Sequence, residues 1–213
     1  MAVVITIDVE FGDRPVSDPK ESFERVLREL DRKAAPATFF IQGRWAKAHP
    51  HLVAELAERG APLGLHGHAH VDYRRLTSEG IRLELADGLA ALKQAAPGVA
   101  VPYVRLPHGY GTDDPSIVEL LGEANLEPVG WDFSTFDWDE SLAFDRRSLR
   151  VAEALECGGV VLFHSWPKRT ADLIHQLVES ADDGAIVGLD SLVLPGRKPS
   201  GHTMHVAYTD PPR

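Results

Sequence analysis

Short runs of apolar residues alternate along the chain with segments whose apolar residues recur at helical spacing. The runs are bounded by polar or turn residues and predict seven β-strands, over residues 3–8, 37–41, 63–66, 101–105, 127–131, 160–164 and 185–189. Strands that alternate with helices are typical of βαβ units, in which helices cover a parallel sheet. Seven such units in 213 residues favour a closed α/β barrel, with a doubly wound open sheet as the alternative.

The predicted helices each carry an apolar stripe. The first follows a capping residue and a proline, Asp18-Pro19. Its apolar residues recur at i, i+3, i+4 and i+7, and they are Phe23, Val26, Leu27 and Leu30. Similar stripes are predicted over residues 81–92, 117–121 and 173–178, and another comprises Leu149, Ala152 and Leu155. A helix near residues 54–59 ends at Gly60.

Length and composition predict one domain over residues 1–194. Residues 195–213 are rich in proline, glycine and polar residues and are predicted to form a C-terminal extension. The net charge of −10 argues against nucleic acid or an anionic membrane as partner. The single cysteine excludes a disulfide framework. No apolar run approaches the roughly 20 residues of a membrane span. Because the chain starts with a strand pattern and not a secretory leader, we expect a cytoplasmic protein.

Titratable residues follow the ends of most predicted strands. In a parallel barrel these ends form one face, where the chemistry of such folds is found. The residues are Asp8, Glu10, His66, His70, Arg105, Asp137 and His164. This shared location predicts that they meet in one site.

The segment His66-Gly67-His68-Ala69-His70 is a candidate metal site, since imidazoles two or four residues apart can converge on one ion. Asp8 or Glu10 would supply a third ligand, and the two carboxylates point the same way because they lie two apart on a strand. The alternatives are a polar loop of solvated histidines and turn-capping carboxylates. Two histidines and a carboxylate suit one divalent metal, zinc first, with cobalt, nickel, manganese or iron also possible.

Five short motifs occur in chain order at these strand ends. They are Thr6-Ile7-Asp8-Val9-Glu10, His66 with His70, Arg105-Leu106-Pro107-His108-Gly109, Asp137-Trp138 and Leu162-Phe163-His164. Over residues 3–192 the chain thereby resembles the polysaccharide deacetylase family (NodB homology, carbohydrate esterase family 4). The resemblance implies a distorted (β/α)7 barrel of parallel strands with its active site at the C-terminal strand ends.

The resemblance also implies residue roles. Asp8 would be the general base and His164 the general acid, with Arg105 and Asp137 orienting them. The implied metal ligands are Glu10, His66 and His70, with His68 open as an alternate ligand. The backbone N–H of His108 would hold the oxyanion, Leu162 would wall the acetyl pocket, and Trp138 is a candidate for stacking on the substrate.

Three positions depart from the family pattern. Val9 stands where many members have a second aspartate, so the third ligand must be Glu10. His108 replaces an aromatic residue, and Ser134 stands where the fourth motif often has its first aspartate.

The function expected from these residues is metal-dependent hydrolysis of a C–N bond. An N-acyl group, acetyl first, would be removed from an amino sugar, an oligosaccharide or a related N-acylated small molecule. The alternatives are an amide, lactam or ester hydrolase acting on a non-carbohydrate metabolite, and a non-catalytic binding module. A glycosidase is excluded, since carboxylates two apart on one strand do not flank a sugar at the required separation of roughly 5–9 Å.

Overall fold

A computed structural model of the protein describes residues 1–12 and 19–191. Its sheet has seven strands, all parallel, in the order β5-β4-β3-β2-β1-β7-β6. The strands are β1 (Val3–Val9), β2 (Ala37–Ile41), β3 (Leu63–Leu65), β4 (Tyr103–Val104), β5 (Glu127–Pro128), β6 (Phe133–Ser134) and β7 (Gly159–His164). With β5 and β6 as its two edges, the sheet curls into the distorted barrel that the sequence predicted.

Seven α-helices of the described residues cover the sheet. They are α1 (Pro19–Asp31), α2 (Gly43–Ala48), α3 (Pro50–Glu58), α4 (Ser78–Ala95), α5 (Pro115–Glu123), α6 (Phe144–Cys157) and α7 (Thr170–Ser180). Short 3₁₀ turns lie at Tyr73–Arg75, Pro107–Gly109 and Leu189–Ser191. None of the helices in these ranges has both the length and the apolar character that a membrane span needs.

The prediction of a seventh strand over residues 185–189 is wrong. Its backbone makes a single parallel bridge between Ile186 and Val3 and then enters the last 3₁₀ turn. The seventh strand of the sheet is instead β6, beside β7. The sequence pattern missed β6 because its two residues, flanked by Asp132 and Thr135, are too few to show an apolar run.

The stripe predicted for α6 is wrong at Leu149, which is 54% exposed. The helix instead buries Arg147, Val151 and Ala154. The guanidinium of Arg147 donates hydrogen bonds to the carbonyl of Leu142 at 2.8 and 3.1 Å. An apolar pattern cannot detect this inward face because a hydrogen-bonded arginine occupies its first turn.

Successive side chains of β1 face opposite sides of the sheet, so they belong to two different cores and the polar residues point in a defined direction. Val3, Ile5, Ile7 and Val9 belong to the large core between the sheet and the helices. Val4 belongs to a smaller cluster on the other face of the sheet, which is the inside of the barrel, together with Phe40, Tyr103, Val129, Val160 and Leu189. Since successive side chains alternate between faces, Asp8 points to the inside at the C-terminal end of β1.

The C-terminal extension predicted for residues 195–213 lies outside the described residues, as does Asp18 of the predicted start of α1. The single-domain prediction for residues 1–194 stays a prediction.

Candidate active site

Glu10, His66 and His70 converge just beyond the ends of β1 and β3. Glu10 Oε2 lies 3.3 Å from His66 Nε2 and 2.7 Å from His70 Nε2. The three ligand atoms all lie within 4.8 Å of one another. Two imidazoles and a carboxylate at this spacing are a donor set that can hold a divalent metal ion.

The hydrogen bonding of His66 shows that this group fits a cation. His66 Nδ1 lies 2.9 Å from the carbonyl oxygen of Arg105, so Nδ1 carries the proton that donates to it. In the neutral ring, Nε2 then presents a lone pair to the carboxylate of Glu10. Glu10 Oε2 is itself buried with no hydrogen bond of good geometry in the described residues. Facing lone pairs are stable only with a positive charge between them.

The pKa values of Glu10 and His66 also indicate that this group is stabilised by positive charge. Burial by itself raises the pKa of Glu10, but the imidazoles of His66 and His70 hold it well below its ordinary value. Burial lowers the pKa of His66, yet the carboxylates of Asp8 and Glu10 raise it overall. In the absence of a metal, a proton on the His66 imidazole supplies part of the charge that the carboxylates require.

Backbone conformation decides which histidines face the group. Gly67 and His70 adopt positive φ angles of 65° and 58°, so the chain turns sharply between His66 and His70. His68 packs elsewhere, against the start of α2, where a Cβ on Gly43 would lie 2.5 Å from His68 Nδ1. His68, the alternate ligand left open by the sequence, lies outside the Glu10–His66–His70 group.

Asp8 is held beside the same group by a buried arginine. Arg105 Nη1 donates to Asp8 Oδ1 at 2.8 Å, and Asp8 Oδ2 lies 3.6 Å from His66 Nε2. The remaining donors of Arg105 reach the carbonyls of Val129 at 3.2 Å and Gly130 at 2.8 Å. Arg105 thus joins β1 to the segment between the two edge strands and fixes one oxygen of Asp8, while the other faces the site.

His164 ends β7, in register with Asp8 on the adjacent β1. His164 Nδ1 lies 2.8 Å from Asp137 Oδ1, and the backbone N–H of His164 donates to Asp137 Oδ2 at 2.7 Å. The hydroxyl of Thr170 also donates to Asp137 Oδ2, at 2.7 Å. The sequence did not predict this role of Thr170, because no motif connects it with Asp137.

The Asp137 carboxylate controls the charge of His164. Burial lowers the pKa of His164, but the charge and hydrogen bond of Asp137 outweigh it and raise this pKa to about 9. A neutral asparagine in place of Asp137 would remove the largest contribution that raises this pKa, while burial, which lowers it, and the smaller effects of Glu10 and Asp8 would remain.

For the metal-free protein we therefore expect the His164 imidazolium to persist well above pH 6.5, the ordinary histidine value. Because its folded-state pKa is raised, the stability it contributes is fully present below about pH 6.5 and is lost as pH rises through about 9. NMR titration of the imidazole and thermal unfolding between pH 6 and 10 measure both effects. In Asp137→Asn the pKa of the imidazole should fall well below that of the unmodified protein, and an unchanged titration would contradict the assignment.

These groups line a single cavity of about 270 Å³. Its other lining residues are mostly aromatic and comprise His108, Tyr110, Trp131, Ser134, Phe136, Trp138, Leu162 and Trp166. Leu162 is buried in its wall, Trp138 is 38% exposed at its rim, and the His108 ring packs edge-on against His70 with centroids 4.4 Å apart. All ten site residues named from the sequence therefore lie at this cavity or, as Arg105 and Asp137 do, directly behind it.

Sequence reasoning missed the contacts that two of these lining residues, Trp166 and Tyr110, make. Trp166 Nε1 donates to Glu10 Oε1 at 3.4 Å, and its position two residues after His164 at a strand end was the available signal. Tyr110 forms part of the rim with the guanidinium of Arg74 stacked 3.9 Å from its ring centroid. Tyr110 follows the third motif and brings an aromatic ring to the side of the cavity where His108 replaces one.

Comparison with known sequences identifies the family. The family model described as polysaccharide deacetylase matches residues 2–129, more than half of the chain. A chitooligosaccharide deacetylase of Rhizobium leguminosarum bv. trifolii is 32% identical over 140 residues, which are 66% of this chain and 63% of the relative. The matched region thus spans less than two thirds of that relative's length.

Solved structures share the fold. A deacetylase solved with its substrate superposes with a TM-score of 0.73 at 29% identity, covering 90% of this chain and 89% of that one. A CE4 family pseudoenzyme from Bacillus anthracis superposes with a TM-score of 0.74 at 24% identity, covering 91% and 65%. The fold alone therefore does not establish catalysis. By its sequence match and its barrel, the chain belongs to the polysaccharide deacetylase family.

Proposed function

We propose that the protein is a metal-dependent hydrolase that removes an N-acyl group, acetyl first, from an amino sugar, an oligosaccharide or a related N-acylated small molecule. One observation supports this most directly. A single cavity joins the Glu10–His66–His70 group to a carboxylate held by arginine and an imidazole held by a carboxylate. These are the parts that amide hydrolysis needs: a metal site, a base and an acid.

Glu10, His66 and His70 would hold one divalent ion, zinc first, with cobalt, nickel, manganese or iron suiting the same donors. When bound, the ion would polarise the acyl carbonyl and lower the pKa of a water molecule.

Asp8 would accept the proton of the attacking water. Arg105 occupies Asp8 Oδ1, so Oδ2, which faces His66, is the oxygen available to the proton. This division suits a general base, because the arginine fixes the direction of the carboxylate.

His164 would donate a proton to the leaving amine. Asp137 holds its Nδ1, which leaves Nε2 as the proton-donating atom of the imidazolium. In the metal-free protein Asp137 raises the pKa of His164 to about 9, so the imidazole carries that proton at neutral pH. Amide cleavage requires such a donor, because an unprotonated amine anion is a very poor leaving group.

Three residues would position the acyl sugar. Leu162, buried in the cavity wall, would pack on the acyl methyl, and Trp138 at the rim would stack on the sugar. The backbone N–H of His108 would donate to the oxyanion, a contact of a type worth about 3–4 kcal/mol in hydrolases.

An acetate-release assay tests the function. Purified protein loaded with each candidate metal is incubated with mono-, oligo- and polymeric N-acetylated sugars, beside a panel of lactams and esters. We expect acetate from N-acetylated sugars, and the preferred chain length would show how many sugars the cavity holds. Turnover of lactams or esters alone would assign the alternative chemistry, and no turnover with any metal would indicate a pseudoenzyme.

Metal analysis of two variants tests the ligand set. Glu10→Ala removes the only carboxylate of the three-residue group and should abolish or strongly weaken metal binding, because neutral imidazoles alone leave the charge uncompensated. His68→Ala is the matched control, since His68 points toward α2, and it should bind metal as the unmodified protein does. Unchanged stoichiometry in Glu10→Ala, or loss of metal in His68→Ala, would contradict this set.

The cytoplasmic location expected from the sequence stays a prediction, and fractionation of the native cells tests it.

A further inference from the structure

Residues 66–70 (the ligand loop) carry the two histidines of the metal group, His66 and His70. A carboxylate from α4 holds this loop. Glu84 Oε2 accepts hydrogen bonds from the backbone N–H groups of His68 and Ala69, each at 2.9 Å. A carboxylate that accepts two backbone N–H groups makes charge-assisted bonds, which are roughly twice as strong as neutral ones. None of the five family-type motifs includes Glu84.

Two carbonyls of the ligand loop are held by a second helix. The backbone N–H of Gly43 donates to the carbonyl of Gly67 at 2.9 Å, and that of Arg44 donates to the carbonyl of His68 at 3.0 Å. These donors belong to the first turn of α2, whereas Glu84 belongs to α4. The loop backbone is therefore clamped between two helices through both its donors and its acceptors.

The ligand loop needs such a clamp because part of its backbone is unfavourable. His70 has a φ of 58°, in the left-handed region that side chains with a Cβ rarely adopt. Such conformations persist where the surroundings over-determine them. Gly67 is constrained as well, since its φ is 65° and a Cβ there would lie 3.2 Å from the Tyr73 hydroxyl and 3.3 Å from Pro107.

We propose that Glu84 is a positioning residue. By accepting the two N–H groups, it fixes the turn that brings His70 back beside His66 and toward Glu10, and it thereby sets the affinity of the site for metal. This inference rests on the proposed metal site. It concerns Glu84 alone, which bonds to the loop backbone and lies outside the Glu10–His66–His70 group.

Three variants separate hydrogen-bond acceptance from charge and from general loss of structure. Glu84→Ala removes the acceptor, and Glu84→Gln keeps an acceptor oxygen without the charge. Asp87→Ala is the control: this exposed carboxylate lies on the same helix and its charge acts on His68, yet the loop N–H groups bind Glu84 instead.

Metal dissociation constants, measured by chelator competition, are the first readout. We expect Glu84→Ala to bind metal about 10–100-fold more weakly, the range typical of residues that orient metal ligands. Glu84→Gln should lie closer to the unmodified protein than to Glu84→Ala, and Asp87→Ala should be unchanged. Unaltered affinity in Glu84→Ala, or a glutamine variant as weak as the alanine variant, would overturn the inference while leaving the proposed function intact.

Amide hydrogen exchange of the metal-free protein is the second readout and does not depend on metal binding. The amides of His68 and Ala69 should exchange about tenfold faster or more in Glu84→Ala, as expected for the loss of a charged acceptor. Asp87→Ala should leave them unchanged. If the unmodified protein binds no metal, the proposed function fails, and this measurement still decides the role of Glu84: unaltered exchange at both amides would overturn it.

Discussion

Replacing Asp8 with asparagine is expected to lower kcat by about 10²–10⁴-fold while the protein still binds metal. Asparagine keeps the shape of the side chain and an oxygen that accepts the 2.8 Å hydrogen bond from Arg105, but it cannot accept a proton at neutral pH. The metal should remain, because Glu10, His66 and His70 are unaltered. Acetate release and metal content of the same preparation measure the two effects together.

His70→Ala is the contrasting variant for this experiment. It removes a residue of the metal group, so both metal and turnover should be lost. The neutral asparagine also leaves the charge of Arg105 unbalanced, which lowers the stability of the variant. Thermal unfolding of Asp8→Asn therefore sets an assay temperature at which both proteins are folded. Nearly full turnover by a metal-loaded Asp8→Asn protein would remove Asp8 from the role of base.

Replacing Arg105 with methionine is expected to lower the free energy of unfolding by about 3–5 kcal/mol. Arg105 is only 1% exposed, and its loss would leave the carboxylate of Asp8 buried without its cation. The carbonyls of Val129 and Gly130 would lose their donor as well. Because these carbonyls lie between the two edge strands, the substitution weakens the closure of the barrel and the orientation of Asp8 at once.

Arg82→Met is the matched control for Arg105→Met. Arg82 makes a comparable pair with Glu123, 3.0 Å between Arg82 Nη2 and Glu123 Oε2, but both side chains are about half exposed. Such surface pairs contribute about 0–1 kcal/mol. Denaturant unfolding of the metal-free variants compares the two sites, and equal losses of stability would contradict the structural role of Arg105.

Local sequence pattern predicted much of the fold. The places where the prediction failed have specific physical causes. Alternation of strand and helix signals indicated a parallel barrel because each βαβ unit buries its own apolar face. The prediction failed at β6, where two residues pair at a sheet edge without an apolar run, and at residues 185–189, where an apolar run makes one bridge to Val3. Strand pairing depends on the neighbours that the chain brings alongside, which a local pattern does not contain.

The location of the site was likewise encoded locally. Asp8 and Glu10 share one side because strand residues two apart face the same way, and the parallel topology brings the strand ends together. Residue type and strand position were therefore enough to indicate a candidate metal site with Asp8 or Glu10 as its third ligand, whereas the roles of base and acid came from the resemblance to the deacetylase family.

The tertiary structure was needed wherever a role depends on direction or on a distant partner. His66, His68 and His70 are equivalent as sequence, but the positive φ angles at Gly67 and His70 direct two of the rings toward Glu10 and leave His68 against α2. The hydrogen bonds between Thr170 and Asp137 and between the ligand loop and Glu84 form because α7 and α4 pack beside the strand ends. Local sequence determines which chemical groups stand at the strand ends, whereas the packing of distant elements sets their orientation. The reason is that hydrogen bonds and charge interactions need short distances, which form only in the folded chain.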